Sequence, residues 1–172
     1  AQWNAGGFLC RFTIARIEFE GSAIQEPAAS DGPMSFLLDT NVVSEWTKPR
    51  PNEGVVDWFV KVDEDEVFLS VVTFAELRHG IERLPTGARR KRLDAWLRSE
   101  LPARFEGRIV LVDGAIADEW GKLVARQDAS GRPMQAMDGL IAATAQVHTL
   151  TLVTGNESDF RASVNSLLNP WT

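Results

Sequence analysis

Four acidic side chains of this 172-residue chain lie next to apolar segments, where carboxylates are unusual. Each follows or opens an apolar segment, and they are Asp39, Glu76, Asp138 and Asp159. A carboxylate in such surroundings is partly desolvated and needs a cation, a hydrogen-bond donor or a proton. Several of them in one place would repel one another unless a hard cation such as Mg²⁺ or Mn²⁺ lay among them. Such an ion polarises a phosphate and lowers the pKa of a bound water, which predicts phosphodiester chemistry.

Three of these residues also have a purely structural interpretation. Asp39 is placed to cap the helix that follows it, a common use of Asp. Thr73 and Glu76 match the Thr-x-x-Glu capping box, in which Thr73 caps a helix and Glu76 lies in its first turn. Asp138 lies on the same helix stripe as small alanines, so it is either buried with a partner or functional.

The elements that must position these residues alternate along the chain. We predict strands at 36–38, 67–72, 109–112 and 150–154, with a short fifth at 165–168. Helices are predicted from about residue 42, around 55–59, after Thr73, across 93–101, at 114–128 and at 136–148. This order favours an α/β fold, a three-layer α/β/α sandwich around a mostly parallel sheet of four to five strands. Functional groups gather where such strands end, so the acidic residues should meet at one edge.

Composition favours one folded domain without a membrane anchor. Apolar residues make up 44% of the chain, enough for a single core. We predict a domain over 34–172 that begins at Met34, and an N-terminal extension over 1–33 that is not part of the native domain. No apolar run approaches the roughly 18–20 residues of a membrane span. The single cysteine, Cys10, cannot form an internal disulfide, which favours a reducing, cytoplasmic compartment.

A net charge of −6 argues at first against nucleic-acid binding, because phosphate affinity comes mostly from Lys and Arg. A cation bound among the carboxylates would cancel part of that charge. The one dense basic cluster is Arg89-Arg90-Lys91-Arg92. It is typical of a solvated helix start, and contact with RNA or a protein partner is the alternative.

Four segments of the chain resemble the successive motifs of PIN-domain proteins, in particular the VapC and FitB-type toxins of bacterial toxin–antitoxin pairs. The segments are Leu37-Leu38-Asp39-Thr40-Asn41-Val42, Ser70-Val71-Val72-Thr73-Phe74-Ala75-Glu76-Leu77, Asp138-Gly139-Leu140-Ile141-Ala142-Ala143-Thr144-Ala145 and Leu152-Val153-Thr154-Gly155-Asn156-Glu157-Ser158-Asp159-Phe160. They occur in the family's order within 34–172. Each motif alone is weak, but the ordered set is specific.

The resemblance implies a Mg²⁺- or Mn²⁺-dependent endoribonuclease that cleaves RNA when released from a cognate antitoxin. It also implies a homodimer and possible larger toxin–antitoxin assemblies. Asp39, Glu76 and Asp138 fall on the family's three acidic positions. Thr40 and Thr154 fall on hydroxyl positions that orient ligands or water.

The fourth acidic position of the family is ambiguous in this chain. Many members have Asp where Asn156 stands, and others have the Asn-x-x-Asp-Phe form found here. Since Asn156 cannot act as a charged ligand, we expect Asp159 to supply the fourth carboxylate. The alternative is a catalytically eroded PIN module that acts as a binding or scaffold protein, with Asn156 as the sign of erosion.

Other functional classes find little support in the sequence. Phosphatases of the haloacid dehalogenase type need Asp-x-Asp, and this chain has Asp39-Thr40-Asn41. The Gly-x-Gly-x-x-Gly fingerprint of dinucleotide-binding domains does not follow the first strand. His79 and His148 are explained by positions within and at the end of helices. Five tryptophans are assigned to core packing, with a partner groove, a dimer interface or RNA stacking as alternatives: Trp46, Trp58, Trp96, Trp120 and Trp171.

Overall fold

The computed structural model describes residues 34–171, where a five-stranded parallel sheet forms the middle layer. Its strands are β1 (Phe36–Leu38), β2 (Val67–Ser70), β3 (Ile109–Val110), β4 (Thr151–Val153) and β5 (Leu167–Leu168). The spatial order is β3-β2-β1-β4-β5, and every neighbouring pair is parallel. The strands therefore all end along one side of the sheet, called here the carboxyl edge. This architecture confirms the predicted α/β sandwich.

Helices cover both faces of this sheet. They are α1 (Thr40–Glu45), α2 (Glu53–Lys61), α3 (Val71–Glu82), α4 (Ala88–Ala95), α5 (Leu101–Arg104), α6 (Gly114–Ala129), α7 (Ala136–Val147) and α8 (Glu157–Phe160). A 3₁₀ turn, Glu64–Glu66, precedes β2, and a π-helical stretch, Trp96–Glu100, joins α4 to α5. Within residues 34–171, no helix combines the length and apolarity needed to span a membrane.

Two buried clusters hold the three layers together, one on each face of the sheet. Successive strand residues point to opposite faces, so Phe36 and Leu38 join the cluster under α1–α5 while Leu37 joins the cluster under α6 and α7. All three side chains are buried, as expected for a central parallel strand. Four of the five tryptophans pack on the first cluster and Trp120 on the second, which confirms their assignment to core packing.

The predicted helices are confirmed, with shifts at their ends. The helix predicted from residue 42 begins at Thr40, and α2, α6 and α7 contain the predicted 55–59, 114–128 and most of 136–148. The helical region predicted across 93–101 runs through α4, the π-helical stretch and the start of α5. The short helix α8 was not predicted. The predicted extension, residues 1–33, lies outside the described residues, so its boundary at Met34 stays a prediction.

The start of α3 is the main correction. The strand predicted to extend to residue 72 ends at Ser70, whose hydroxyl accepts the Val72 N–H at 3.2 Å and caps the helix. Thr73 is therefore not the cap; it is buried inside α3, and its hydroxyl donates to the Leu38 carbonyl at 3.4 Å. The capping-box interpretation was wrong because the β-branched pair after Ser70 is typical of a strand. Glu76 consequently lies in the second turn of α3 and is free of a capping role.

Helices α6 and α7 run side by side in the same direction. Near their starts, the indole of Trp120 lies against Gly139, where an added Cβ would come within 2.9 Å of Trp120 Nε1. Near their ends, Gln127 donates to the Ser163 hydroxyl at 3.0 Å and Gln146 donates to the Ser163 carbonyl. The missing side chain of Gly139 thus lets the indole lie directly against the first turn of α7.

We predict that Gly139→Ala lowers the free energy of unfolding by about 1–3 kcal/mol, because the new methyl group meets a ring that core packing holds in place. Urea denaturation measures the change. Gly121→Ala on the neighbouring α6 is the matched control, since nothing lies within 4 Å of its added Cβ. This control should raise stability by up to about 1 kcal/mol through helix propensity. Equal stabilities of the Gly139→Ala variant and the native protein would contradict the close contact.

Candidate metal-binding site

Asp39 is the most constrained residue at the carboxyl edge. It directly follows β1, and its side chain is buried, with 5% of the residue exposed. One carboxylate oxygen accepts the Thr40 N–H at 2.6 Å, so Asp39 caps α1 as its structural interpretation required. The other oxygen accepts from the Thr154 hydroxyl at 2.6 Å and from the Asn41 side-chain amide at 2.7 Å. Capping of α1 therefore accounts for only one of the three hydrogen bonds that this carboxylate accepts.

The register of β1 and β4 explains why Thr154 reaches Asp39. Leu38 pairs with Val153, and the Asp39 N–H donates to the Val153 carbonyl at 3.0 Å. The next residue of each strand therefore lies at the carboxyl edge beside the other. Thr154 was predicted to orient ligands or water, and in the structure its hydroxyl holds the carboxylate of Asp39.

Asn41 completes this arrangement and was not predicted as a site residue. Its amide nitrogen donates to Asp39 and, at 3.0 Å, to the Thr154 hydroxyl. Its carbonyl oxygen accepts the Gly155 N–H at 3.3 Å. One side chain thus joins the start of α1 to the loop after β4. The only signal in the sequence was its place within the Asp-Thr-Asn motif.

Glu76 is held by Thr40, the other threonine that the resemblance placed at a hydroxyl position. Thr40 donates its hydroxyl to Glu76 Oε2 at 2.5 Å, although the two residues are 36 positions apart in the chain. The half-buried Glu76 carboxylate is thereby fixed next to the helix that Asp39 caps. Thr40 was predicted to orient a ligand or water, and in the structure it orients a carboxylate.

The carboxylates influence one another electrostatically. Burial raises the pKa of Asp39 to about 6, and the charges of Glu76 and Asp138 add to the rise, against the hydrogen bonds from Thr154 and Thr40. Burial likewise raises the pKa of Asp138, with further repulsion from Glu76 and Asp159. Glu76 and Asp138 therefore act on the charge of Asp39, and Glu76 and Asp159 act on that of Asp138, which puts the four predicted carboxylates in the same region of the carboxyl edge.

Asn156 and Asp159 lie together in the loop after β4. The Asn156 side-chain amide donates to Asp159 Oδ2 at 2.6 Å, and its backbone N–H donates to the Thr154 hydroxyl at 2.9 Å. Ser158 donates to the other Asp159 oxygen at 3.2 Å. Asn156 therefore orients a carboxylate in this structure, while Asp159 is the acidic member of the pair, and its charge helps to raise the pKa of Asp138.

The donor atoms suit a hard divalent cation, but their spacing is open. Among residues 34–171, no group of three or more acidic, histidine or cysteine side chains is arranged so that it could hold a metal ion. The carboxylates offer only oxygen, the preferred ligand of Mg²⁺ and Mn²⁺. His79 lies in the last turn of α3 and His148 ends α7, so both lie away from the edge where these helices begin.

The basic cluster lies apart from these carboxylates. Residues 89–92 form the start of α4, as the helix-start interpretation expected. Arg90 pairs with Glu82, and Arg78 pairs with Asp94 at 2.5 Å, so α4 runs back along α3 from its far end. The cluster therefore lies near the end of α3 that is remote from the carboxyl edge.

Comparison with known families gives a match over most of the described residues: a model of the PIN domain matches residues 36–163. The chain belongs to the PIN-domain family. Toxin FitB of Neisseria gonorrhoeae is 38% identical over 79% of this chain and 98% of its own length. The VapC ribonuclease Y4jK of Sinorhizobium fredii is 35% identical over 79% of this chain and 97% of its own. The solved structure of FitAB bound to the IR36 DNA fragment is similar with a TM-score of 0.74 and 36% identity, over 80% of this chain and 96% of that one.

We predict that the metal-free PIN domain loses stability as pH rises, because the folded pKa of Asp39, about 6, exceeds the unfolded value near 3.8. The folded state then binds the proton more tightly, so this contribution is present at low pH and is lost as pH rises through 6. Relative to Asp39→Asn, the native free energy of unfolding should fall by about 1.5 kcal/mol between pH 5 and pH 8.

Urea denaturation in EDTA at several pH values measures this difference. The comparison isolates Asp39, because every other ionisable group is present in both proteins. A constant difference across the range would show that Asp39 is ionised without penalty.

Proposed function

We propose that this PIN domain is a Mg²⁺- or Mn²⁺-dependent endoribonuclease, the toxin of a toxin–antitoxin pair. The observation that carries the proposal is the buried Asp39 carboxylate, which is held by three donors and feels the charges of Glu76 and Asp138. Such a group lowers stability when ionised unless a cation accompanies it. The names of the relatives, a toxin and a ribonuclease, support the same function.

The carboxylates are assigned roles from their pKa shifts and their hydrogen-bond partners. Asp39 and Asp138 would bind the ion, since both have raised pKa values that a cation would lower. Asp159 would complete the outer side of the site, held by Asn156 and Ser158. When bound, the ion supplies positive charge to the phosphate and favours ionisation of a nearby water.

Glu76 is placed to act on the attacking water. Its Oε2 accepts from Thr40, which leaves the other oxygen to hold a water or to accept its proton. The water attacks the phosphorus in line with the leaving 3′-oxygen. The P–O3′ bond then breaks, and the 3′-oxygen takes up a proton. The products are a 5′-phosphate and a 3′-hydroxyl.

A protein partner and RNA complete the proposal. The solved FitAB complex joins a relative to a second protein and to DNA. By analogy we expect a cognate antitoxin to bind this chain and restrain its activity, and the chain to form a homodimer within such an assembly. The substrate class is RNA, as in the ribonuclease relative.

We predict that Asp39→Ala abolishes RNA cleavage, with a loss of at least about 100-fold, because the central ligand and the cap of α1 disappear together. Cleavage of total RNA with mapping of the new 5′ ends measures this, with and without EDTA. Full activity in the variant, or activity that survives chelation, would contradict the proposal. Lys61→Ala, which removes an exposed cation at the end of α2, is a surface control that should retain native activity.

A second prediction separates an intact site from an eroded one and assigns the fourth carboxylate. Mn²⁺ at 100 times its dissociation constant should raise the free energy of unfolding by about 2.7 kcal/mol. Asp159→Asn should raise the Mn²⁺ concentration needed for the same stabilisation about 10- to 100-fold. Asn156→Ala should raise it less, because Asn156 only orients Asp159. No stabilisation of the native protein by Mn²⁺ would instead favour the binding or scaffold module.

A further inference from the structure

The last described residues lie against the loop that carries part of the candidate site. Residues 169–171 are called here the C-terminal segment, and residues 154–159 the site loop. The Thr154 N–H donates to the Leu168 carbonyl at 3.0 Å, so the chain leaves β5 directly beside Thr154. The C-terminal segment therefore starts next to the hydroxyl that binds Asp39.

A short hydrogen-bonded turn directs the C-terminal segment over the site loop. The Asn169 side-chain amide donates to Glu157 Oε1 at 2.8 Å, and its carbonyl oxygen accepts the Trp171 N–H at 3.0 Å. One amide side chain thus binds the first residue of α8 and also shapes the segment itself. This pattern is typical of an Asx turn.

The indole of Trp171 lies directly on Gly155. A Cβ at Gly155 would come within 2.9 Å of Cε3 and 3.1 Å of Cζ3 of that ring, closer than carbon atoms pack. On its other side, the Gly155 N–H donates to Asn41, which itself binds Asp39. Gly155 is exposed, yet it contacts both the amide that binds Asp39 and the Trp171 ring, and an added Cβ would collide with that ring.

The C-terminal segment is firmly seated on the body of the domain. Pro170 is buried, and its carbonyl oxygen approaches Gly54 so closely that a Cβ there would lie 2.3 Å away. Trp171 also packs against the core cluster under α1–α5. Its ring can therefore act as a support, because the segment is anchored to the core cluster as well as to the site loop.

We propose that Trp171 is a positioning residue for the metal site, which acts through Gly155 on the site loop. It keeps the Thr154 hydroxyl on Asp39 and keeps in place the loop in which Asn156 binds Asp159. The inference rests on the proposed function for its effect on metal binding, and on the structure alone for its effect on the loop. Trp171 contacts neither the ion nor the substrate in this role.

The first test replaces the ring with a smaller apolar side chain. Trp171→Leu should weaken Mn²⁺ binding about 10- to 100-fold, as is usual when groups that orient ligands are lost. In metal-free protein it should also speed hydrogen exchange at the Gly155 and Asn156 amides, which both bond within the site. Trp96→Leu is the matched control, because Trp96 packs on the same core cluster and belongs to neither the site loop nor the C-terminal segment.

A second test changes the other side of the contact. Gly155→Ala pushes a methyl group into the ring and should weaken Mn²⁺ binding about tenfold or more. Adding Gly155→Ala to Trp171→Leu should weaken binding little further, since the ring that causes the conflict is gone. Additive effects would overturn the proposal, because two independent sites would then be involved.

The outcomes separate the two proposals. If the native protein does not bind Mn²⁺ but Trp171→Leu still speeds exchange in the site loop alone, the metal-dependent function fails and the support by Trp171 stands. If Mn²⁺ binds and Trp171→Leu changes neither binding nor exchange, the positioning role is wrong. Equal losses in Trp96→Leu would also overturn it, by showing a general effect of core packing.

Discussion

One buried carboxylate at the end of the central strand constrains the structure around it. Asp39 remains there because donors from Thr40, Asn41 and Thr154 replace much of its lost hydration. These donors come from two parts of the chain, so α1 must begin directly after β1, and β4 must stay in register with it. The hydrogen bonds compensate only in part, since burial still raises the pKa of Asp39 to about 6.

The repulsion among the carboxylates is balanced elsewhere in the fold. Like charges at one edge favour separation of the elements that carry them, namely α3, α7 and the loop after β4. Two apolar clusters and close helix contacts oppose that separation, including the approach of Trp120 to Gly139. The domain is thus well packed away from the carboxyl edge and electrostatically unfavourable at it, as expected where function conflicts with stability.

Much of the fold followed from the sequence because its signals were local. Alternating strands and helices predicted a parallel sheet, and the sheet placed Asp39 and Asp159 at one edge. The start of α3 was missed, since the β-branched residues after Ser70 favour a strand and only the cap at Ser70 shows the helix. Asn41 was missed because its partner Thr154 is 113 positions away, and no local pattern encodes that contact. The contact of Trp171 with Gly155 spans fewer positions, but no local pattern encodes it either.

The same separation in sequence affects the order in which the site assembles during synthesis. Asp39 and Thr154 are 115 positions apart, and β1 lies between β2, made soon after it, and β4, made much later. A chain still on the ribosome can pair β1 with β2 long before the Thr154 hydroxyl exists. Until then Asp39 lacks the hydrogen bond from Thr154, and Asp138 and Asp159 are synthesised only late. Any activity that depends on these groups can therefore begin only after nearly the whole domain has emerged.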